Sequence, residues 1–225
     1  MPNVVPTIRA VLLDADGVVQ LPGAAWSASL GALCRDPSRA DEFLTDVFGA
    51  ERPCLTGAAD FEAALGQVLR KWGSTASVEV ALRVWTEIEP ATDVLNLVRL
   101  LRSSGISVSL ATNQQAHRAN FMTNSLGYRA YFDHLLYSCE LGFSKPSVEY
   151  FSSALAKIAI EPSEVLFIDD HEANVAAARS CRLHAERFHL SEGVGRIHEI
   201  LKVYGLDVPE PSAPDCSGVS SKRGK

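Results

Sequence analysis

Short apolar runs at residues 8–13, 106–111, 135–137 and 165–168, with a weaker one at 184–188, are separated by stretches of helical periodicity. Strands alternating with helices specify a parallel sheet covered on both faces. The fold class expected is therefore α/β, a Rossmann-like doubly wound parallel sheet. One long interruption breaks the rhythm. Between residues 21 and 89 the pattern is helical with no strand signal, which predicts a small α-helical insert after the first strand. The expected division is residues 1–20 and 90–206 for the sheet domain and 21–89 for the insert. The Pro-, Ser- and Gly-rich stretch 207–225 is expected to be a disordered tail.

Start and stop signals place the helices. In the insert, a helix is expected over 24–34. Asp36 and Pro37 open a second that carries Phe43, Leu44, Val47 and Phe48. After a break at 52–57, Asp60 caps a third with Phe61, Leu65, Val68 and Leu69. Ser77 caps a fourth with Val80, Leu82, Val84, Trp85 and Ile88. Beyond residue 90, helices end at Gly105 and Gly127, another starts at Pro146, and two more cover 173–180 and 193–204.

In doubly wound sheets ligands bind beyond the carboxyl ends of the strands, and the polar residues of this chain gather there. Asp14-Ala15-Asp16-Gly17 follows the first run. Side chains two apart on a strand point the same way, so both carboxylates are expected to project together, and Gly17 lets the backbone turn. Like charges so close need a cation or a shared proton, and Mg²⁺ suits such an oxygen-rich cluster. Thr112 and Asn113 close the second run, where a hydroxyl and main-chain N–H groups either bind phosphate or serve as an ordinary helix cap. Lys145, ahead of Pro146, is placed to neutralise carboxylates or to grip phosphate. Asp169 and Asp170 end the most hydrophobic run, either finishing a metal site or favouring the next helix dipole; Asn174, a turn later, is placed to orient an acid.

Composition narrows the function classes. A net charge of −6 leaves no electrostatic footprint for nucleic acid or an anionic membrane, and the basic end at Lys222, Arg223 and Lys225 is too short to change that. Five scattered cysteines without a CxxC pair argue against zinc and disulfides and suit a reducing compartment. No N-terminal signal pattern and no bilayer-length apolar run are seen, so a cytoplasmic protein is expected.

Taken together, DxDG, Thr-Asn, Lys-Pro and Asp-Asp in this order, each at a strand-to-helix junction, resemble the haloacid dehalogenase-like hydrolase superfamily over residues 8–205. The helical insert resembles its phosphatase type with an α-helical cap. Asp169-Asp170 with Asn174 is similar to the sugar-phosphate phosphatase and epoxide-hydrolase N-terminal-domain branch. The resemblance implies Asp14 as nucleophile and Asp16 as general acid and base. It implies Mg²⁺ held by Asp14, the main-chain carbonyl of Asp16, and Asp170. Asp169 would assist through a water on the cation or by pairing with Lys145. Thr112, Asn113 and Lys145 would bind the transferring phosphoryl group. The second aspartate, which the family's dehalogenases lack, favours phosphoryl transfer. The implied partner is a small phosphorylated metabolite, and the protein a monomer or homodimer. A phosphatase, a phosphomutase and a non-catalytic metal- or phosphate-binding regulator all remain compatible. His171 is expected at an exposed first turn, Trp72 and Trp85 in apolar packing, and Trp26 in packing or lining the pocket.

Overall fold

The computed structural model describes residues 7–208. From the amino end run β1 (Ala10–Leu13), β2 (Gln20–Pro22), α1 (Trp26–Gly31), α2 (Ala40–Glu51), α3 (Phe61–Lys71), α4 (Val78–Val84) and β3 (Ile88–Pro90). Then come α5 (Thr92–Ser103), β4 (Ser107–Thr112), α6 (Ala116–Asn124), α7 (Tyr128–Tyr131) and β5 (His134–Tyr137). The chain continues through α8 (Ser138–Leu141), α9 (Val148–Ile158), β6 (Val165–Asp169), α10 (Glu172–Ser180), β7 (His184–Arg187) and α11 (Val194–Val203).

Five strands form one parallel sheet in the order β5-β4-β1-β6-β7. The chain adds strands to one side of β1 and later to the other, so β1 is central and the order reverses beside it. Every residue of β1 is buried. Because side chains alternate across a strand, Val11 and Leu13 enter one apolar layer with Val108, Leu110, Leu166 and Ile168. Ala10 and Leu12 enter the opposite layer with Ala111, Val165 and Phe167. Such two-sided burial is why these segments read as continuous apolar runs.

The helices of the insert close around an apolar cluster of their own, including Leu30, Phe43, Val47, Phe61, Leu65 and Trp85. Edge-to-face pairs join Phe43 to Trp72 at 5.8 Å and Phe61 to Trp85 at 4.9 Å, the geometry favoured by the ring quadrupole. Two expected caps form: Asp60 Oδ1 accepts from the Ala63 N–H at 2.7 Å, and Ser77 Oγ from the Val80 N–H at 3.2 Å. Asp36 instead caps a 3₁₀ turn, Pro37–Arg39, with α2 starting at Ala40.

Several expectations fail for local reasons. The insert is not free of strands: β2 and β3 pair antiparallel as its two connections, Gln20 beside Pro90 and Pro22 beside Ile88. Ile88 thus belongs to a strand, not to the fourth helix, and Val80 is exposed. Helix α9 starts at Val148 with Ser147 as its cap, two residues beyond Pro146. Val208 is buried in the sheet's apolar layer, so ordered packing passes the expected boundary at residue 207. The rest of the expected tail, with Cys216, lies outside the described residues. The other four cysteines are free thiols. No helix among the described residues is long and apolar enough to cross a membrane.

The insert touches the sheet domain where a short 3₁₀ segment, Arg52–Thr56, meets α8. Gly57 makes this approach possible. Its φ is +71°, and a Cβ there would lie 2.5 Å from the Cys139 carbonyl oxygen. Gly57→Ala is therefore expected to lower folding stability by about 1–3 kcal/mol. Urea denaturation checks this, and an unchanged midpoint would show that the close approach carries no strain.

Candidate active site

The register of the sheet brings the site together. Leu13 lies beside both Leu110 and Ile168, so Asp14 emerges at the carboxyl end of the central strand, next to Asp169. The Asp14 N–H donates to the Ile168 carbonyl at 2.9 Å. Thr112 ends β4 on the other side and is buried. A cavity of about 340 Å³ opens here, lined by Asp14, Asp16, Thr112, Asn113, Lys145 and Asp170. A larger cavity of about 820 Å³ runs along the outer edge of β5. Insert residues 54–60 help to line it, and it shares no lining residue with the cavity at the acid cluster.

Lys145 is the hub. Its side chain is 1 % exposed, and its Nζ lies 2.8 Å from Asp14 Oδ1 and 2.6 Å from Asp169 Oδ2. An ammonium buried so deeply requires such partners, and the two carboxylates hold its pKa above the usual lysine value against the opposing effect of burial. Asn113 fixes the loop that carries it: its Oδ1 accepts from the Lys145 N–H at 2.8 Å, and its Nδ2 donates to the Lys145 carbonyl at 2.9 Å. The Asn113 side-chain amide is thus engaged with the lysine's main chain, which leaves the main chain at Asn113 as its group facing the cavity.

Asp169 is fully buried and saturated. Besides Lys145 it accepts from the His171 N–H at 2.8 Å and from Asn174 Nδ2 at 2.9 and 3.0 Å. Asn174 therefore does orient an acid. Asp170 contrasts with its neighbour: its Oδ1 is buried and has no hydrogen-bond partner. One oxygen each from Asp14, Asp169 and Asp170 lie within 4.8 Å of one another. Burial raises the Asp170 pKa, assisted by Asp169 and opposed by His171 and His189. Burial also pushes Asp14 up to about 7; Lys145 opposes this, while Asp169 and Asp16 add to it. A hard divalent cation suits this donor set, since it gives the orphaned Asp170 oxygen a partner and relieves the repulsion. Gly17 keeps the space open. At φ +81°, a Cβ on it would lie 2.7 Å from Asp170 Oδ2.

The two acids of the DxDG motif do not share partners. β1 ends at Leu13, so the strand's alternation does not govern the pair, and Asp16 turns to a different set of donors. Arg118 grips it with both terminal nitrogens at 2.7 Å, Gln20 Nε2 donates at 2.9 Å and Gln114 Nε2 at 2.8 Å. Burial works to raise the Asp16 pKa, but these donors, Arg118 above all, leave it below the usual carboxylate value. The Asp16 carboxylate thus stands outside the acid cluster, whereas Asp14, Asp169 and Asp170 meet around Lys145. Sequence reasoning missed Arg118, Gln20 and Gln114. The one signal was spacing, because Gln114 and Arg118 sit one helical turn apart just after the Thr-Asn pair. His171 is exposed as expected and lines the cavity with His189. Trp85 is buried, Trp72 donates to Asp46 at 2.7 Å, and Trp26 packs on Phe48.

A family model described as haloacid dehalogenase-like hydrolase matches residues 8–182, more than three quarters of the chain. The chain belongs to the haloacid dehalogenase-like hydrolases. Bifunctional epoxide hydrolase 2 of Sus scrofa is 24% identical over 93% of this chain and 41% of its own length. Hexitol phosphatase B of Escherichia coli (strain K12) is 25% identical over 79% of this chain and 82% of its own. This chain spans less than half the length of several relatives it matches, the epoxide hydrolases among them. A haloacid dehalogenase-family enzyme from Bacteroides thetaiotaomicron, solved with magnesium and inorganic phosphate, superposes with a TM-score of 0.72. The two are 22% identical over 84% of this chain and 98% of that one. This likeness establishes the sheet and its connections.

Lys145 supplies the test of how a haloacid dehalogenase-like site of this kind is held together. Lys145→Met leaves Asp14 and Asp169 buried without their counter-charge and is expected to cost about 3–5 kcal/mol of stability. Asp14, pushed up to about 7 by burial, takes up a proton in the folded state as the pH falls, so the loss is largest at pH 8 and shrinks toward pH 5. Denaturation midpoints at the two pH values check this. A loss independent of pH would mean the lysine acts through packing alone.

Proposed function

We propose that this protein is a Mg²⁺-dependent phosphatase that hydrolyses a small phosphomonoester, such as a sugar phosphate, through an aspartyl-phosphate on Asp14. The observation that carries the proposal is the arrangement around Lys145. A carboxylate at the mouth of a cavity is flanked by a buried ammonium and by an acid with an unpartnered oxygen, while a second acid stands two residues away. The phosphatase and phosphate-bound relatives support the same chemistry, and about 340 Å³ suits a small substrate.

Asp14 attacks phosphorus while Lys145 neutralises charge on the transferring phosphoryl oxygens. The Thr112 hydroxyl and the main chain at Asn113 meet the remaining oxygens, since the Asn113 amide holds Lys145 in place. Asp16, once released from Arg118 and protonated from solvent, would give that proton to the departing ester oxygen and then take one from the water that attacks the aspartyl-phosphate. A halide leaves without such help, whereas an alkoxide does not, so a second acid beside the nucleophile favours phosphoryl transfer over dehalogenation. Mg²⁺, held by Asp14, Asp170 and the main-chain carbonyl of Asp16, would supply positive charge against the repulsion between nucleophile and phosphate. Asp169 serves by fixing Lys145. The helical insert acts as a cap over this cavity and excludes water once substrate is bound.

Free-phosphate release across a panel of phosphorylated metabolites with Mg²⁺ tests the proposal, and an isomeric product without phosphate would point to a mutase. Asp14→Asn is expected to reduce turnover at least about 10³-fold with little change in melting temperature, because Lys145 keeps Asp169. Retained turnover would remove Asp14 as nucleophile.

Mg²⁺ binding needs ionised carboxylates, and Asp14 loses its proton only around pH 7. The cation is therefore expected to raise the melting temperature more at pH 8 than at pH 6. An equal shift at both would show that Asp14 is not a ligand.

A further inference from the structure

Besides Gly17 and the residues the proposed reaction uses, the catalytic cavity is lined by Leu21, Pro22, His171, Asn174 and His189. Leu21 and Pro22 have apolar side chains, and Asn174 is taken up by Asp169. The exposed His171 ring has no hydrogen bond among the described residues to fix its direction. His189 differs from all of these, because its ring is held and one of its nitrogens is free.

His189 is half-buried and caps a short 3₁₀ turn, Leu190–Glu192. Its Nδ1 accepts from the Ser191 N–H at 3.1 Å and lies 2.7 Å from Ser191 Oγ, while the His189 N–H donates to Glu192 Oε1 at 2.9 Å. A main-chain N–H can only donate. Nδ1 therefore carries the lone pair, and the neutral ring holds its proton on Nε2. The segment is tied to both acid-bearing loops: the Leu190 N–H donates to the Gly17 carbonyl at 2.8 Å, and the Phe188 N–H to the Asp169 carbonyl at 3.0 Å. Ring Cδ2, which is bonded to Nε2, lies 3.1 Å from where a Gly17 Cβ would stand, and Asp170 Oδ2 lies 2.7 Å from that same point. The Nδ1 edge thus faces the turn, and the edge leading to Nε2 faces Gly17 and the cavity. Nε2 makes no hydrogen bond among the described residues.

We propose that His189 is a specificity-determining residue whose Nε2–H is a fixed donor to an oxygen on the leaving group of the phosphomonoester. An ester whose alcohol carries further hydroxyls satisfies this donor. An alkyl ester of the same length takes the water from it and returns nothing. Leu21 and Pro22 meet the carbons. The inference rests on the phosphatase reading.

Two substitutions separate the two ring nitrogens. His189→Asn puts an amide oxygen near the place of Nδ1, which keeps the cap but leaves nothing at Nε2. His189→Gln puts an amide N–H near the place of Nε2 and gives up the cap. The experiment measures kcat/KM in the full chain with Mg²⁺ for pairs matched in carbon number: glycerol 3-phosphate against propyl phosphate, and erythritol 4-phosphate against butyl phosphate. The unmodified protein is expected to prefer the hydroxylated member of each pair. In H189N that preference is expected to fall about 3- to 10-fold, the worth of one hydrogen bond, through a higher KM for the hydroxylated ester and with the melting temperature unchanged. In H189Q the preference is expected to stay within about 2-fold while the melting temperature drops. An equal loss on both members of a pair, a preference unaltered in H189N, or no preference in the unmodified protein overturns the inference and leaves the phosphatase standing, and so does phosphate release from other esters but from neither member of any pair. Phosphate release from no ester at all overturns both.

Discussion

The buried ion triad of Lys145 with Asp14 and Asp169 organises everything around it. Three carboxylates and one ammonium, counting Asp170, sum to a formal charge of −2 in a region from which water is largely excluded. Such a set is stable only if protons or a dication complete the balance, and the rise of Asp14 to about 7 is the proton solution. A divalent cation on the three carboxylates would be the other. The resting site is thus unfavourable to its own ionised form, a condition that favours binding of positive charge and, on the proposed reading, readies Asp14 as nucleophile when that charge arrives.

The sheet supplies this arrangement without special devices. A parallel sheet brings every strand's carboxyl end to one edge, so a residue just past β1 necessarily meets residues ending β4 and β6. What needs dedicated residues is the loop carrying Lys145, which belongs to no strand. Asn113 supplies this by bonding to both the N–H and the carbonyl of the lysine. The same amide side chain would be a poor choice for gripping phosphate, because both of its polar atoms already have partners.

Much of this was legible in the sequence, and the divide follows physical range. Two-sided burial leaves an unbroken apolar run, and Asp60 and Ser77 act on N–H groups three residues away, so strands and caps are written locally. The ribbon of β2 and β3 is not. Each strand has three residues and a proline, and they pair across sixty-odd intervening positions. Asp14, Asp169 and Asp170 could be picked out because strand ends attract functional groups, and Lys145 because it stands directly ahead of Pro146 in the strand–helix series. That Asp14 and Asp16 part company could not, because it depends on β1 stopping at Leu13 and on Arg118 arriving from a distant helix. One arginine a turn beyond a glutamine has no distinctive pattern.

The helical insert carries its own apolar cluster and joins the sheet through two short strands that pair with each other. Only Ile88 of its connecting strand β3 packs against a layer of the sheet among the described core residues, so its position is set largely by a few contacts outside the core. Gly57 against Cys139 is one, a main-chain approach that fixes distance but carries no charge. Helix α3 meeting α6 is another. The Gly57 approach responds to shape alone: it holds only while the 3₁₀ segment and the backbone at Cys139 keep their places, so any shift of the insert has to be absorbed there and in its two short connecting strands before the sheet is disturbed.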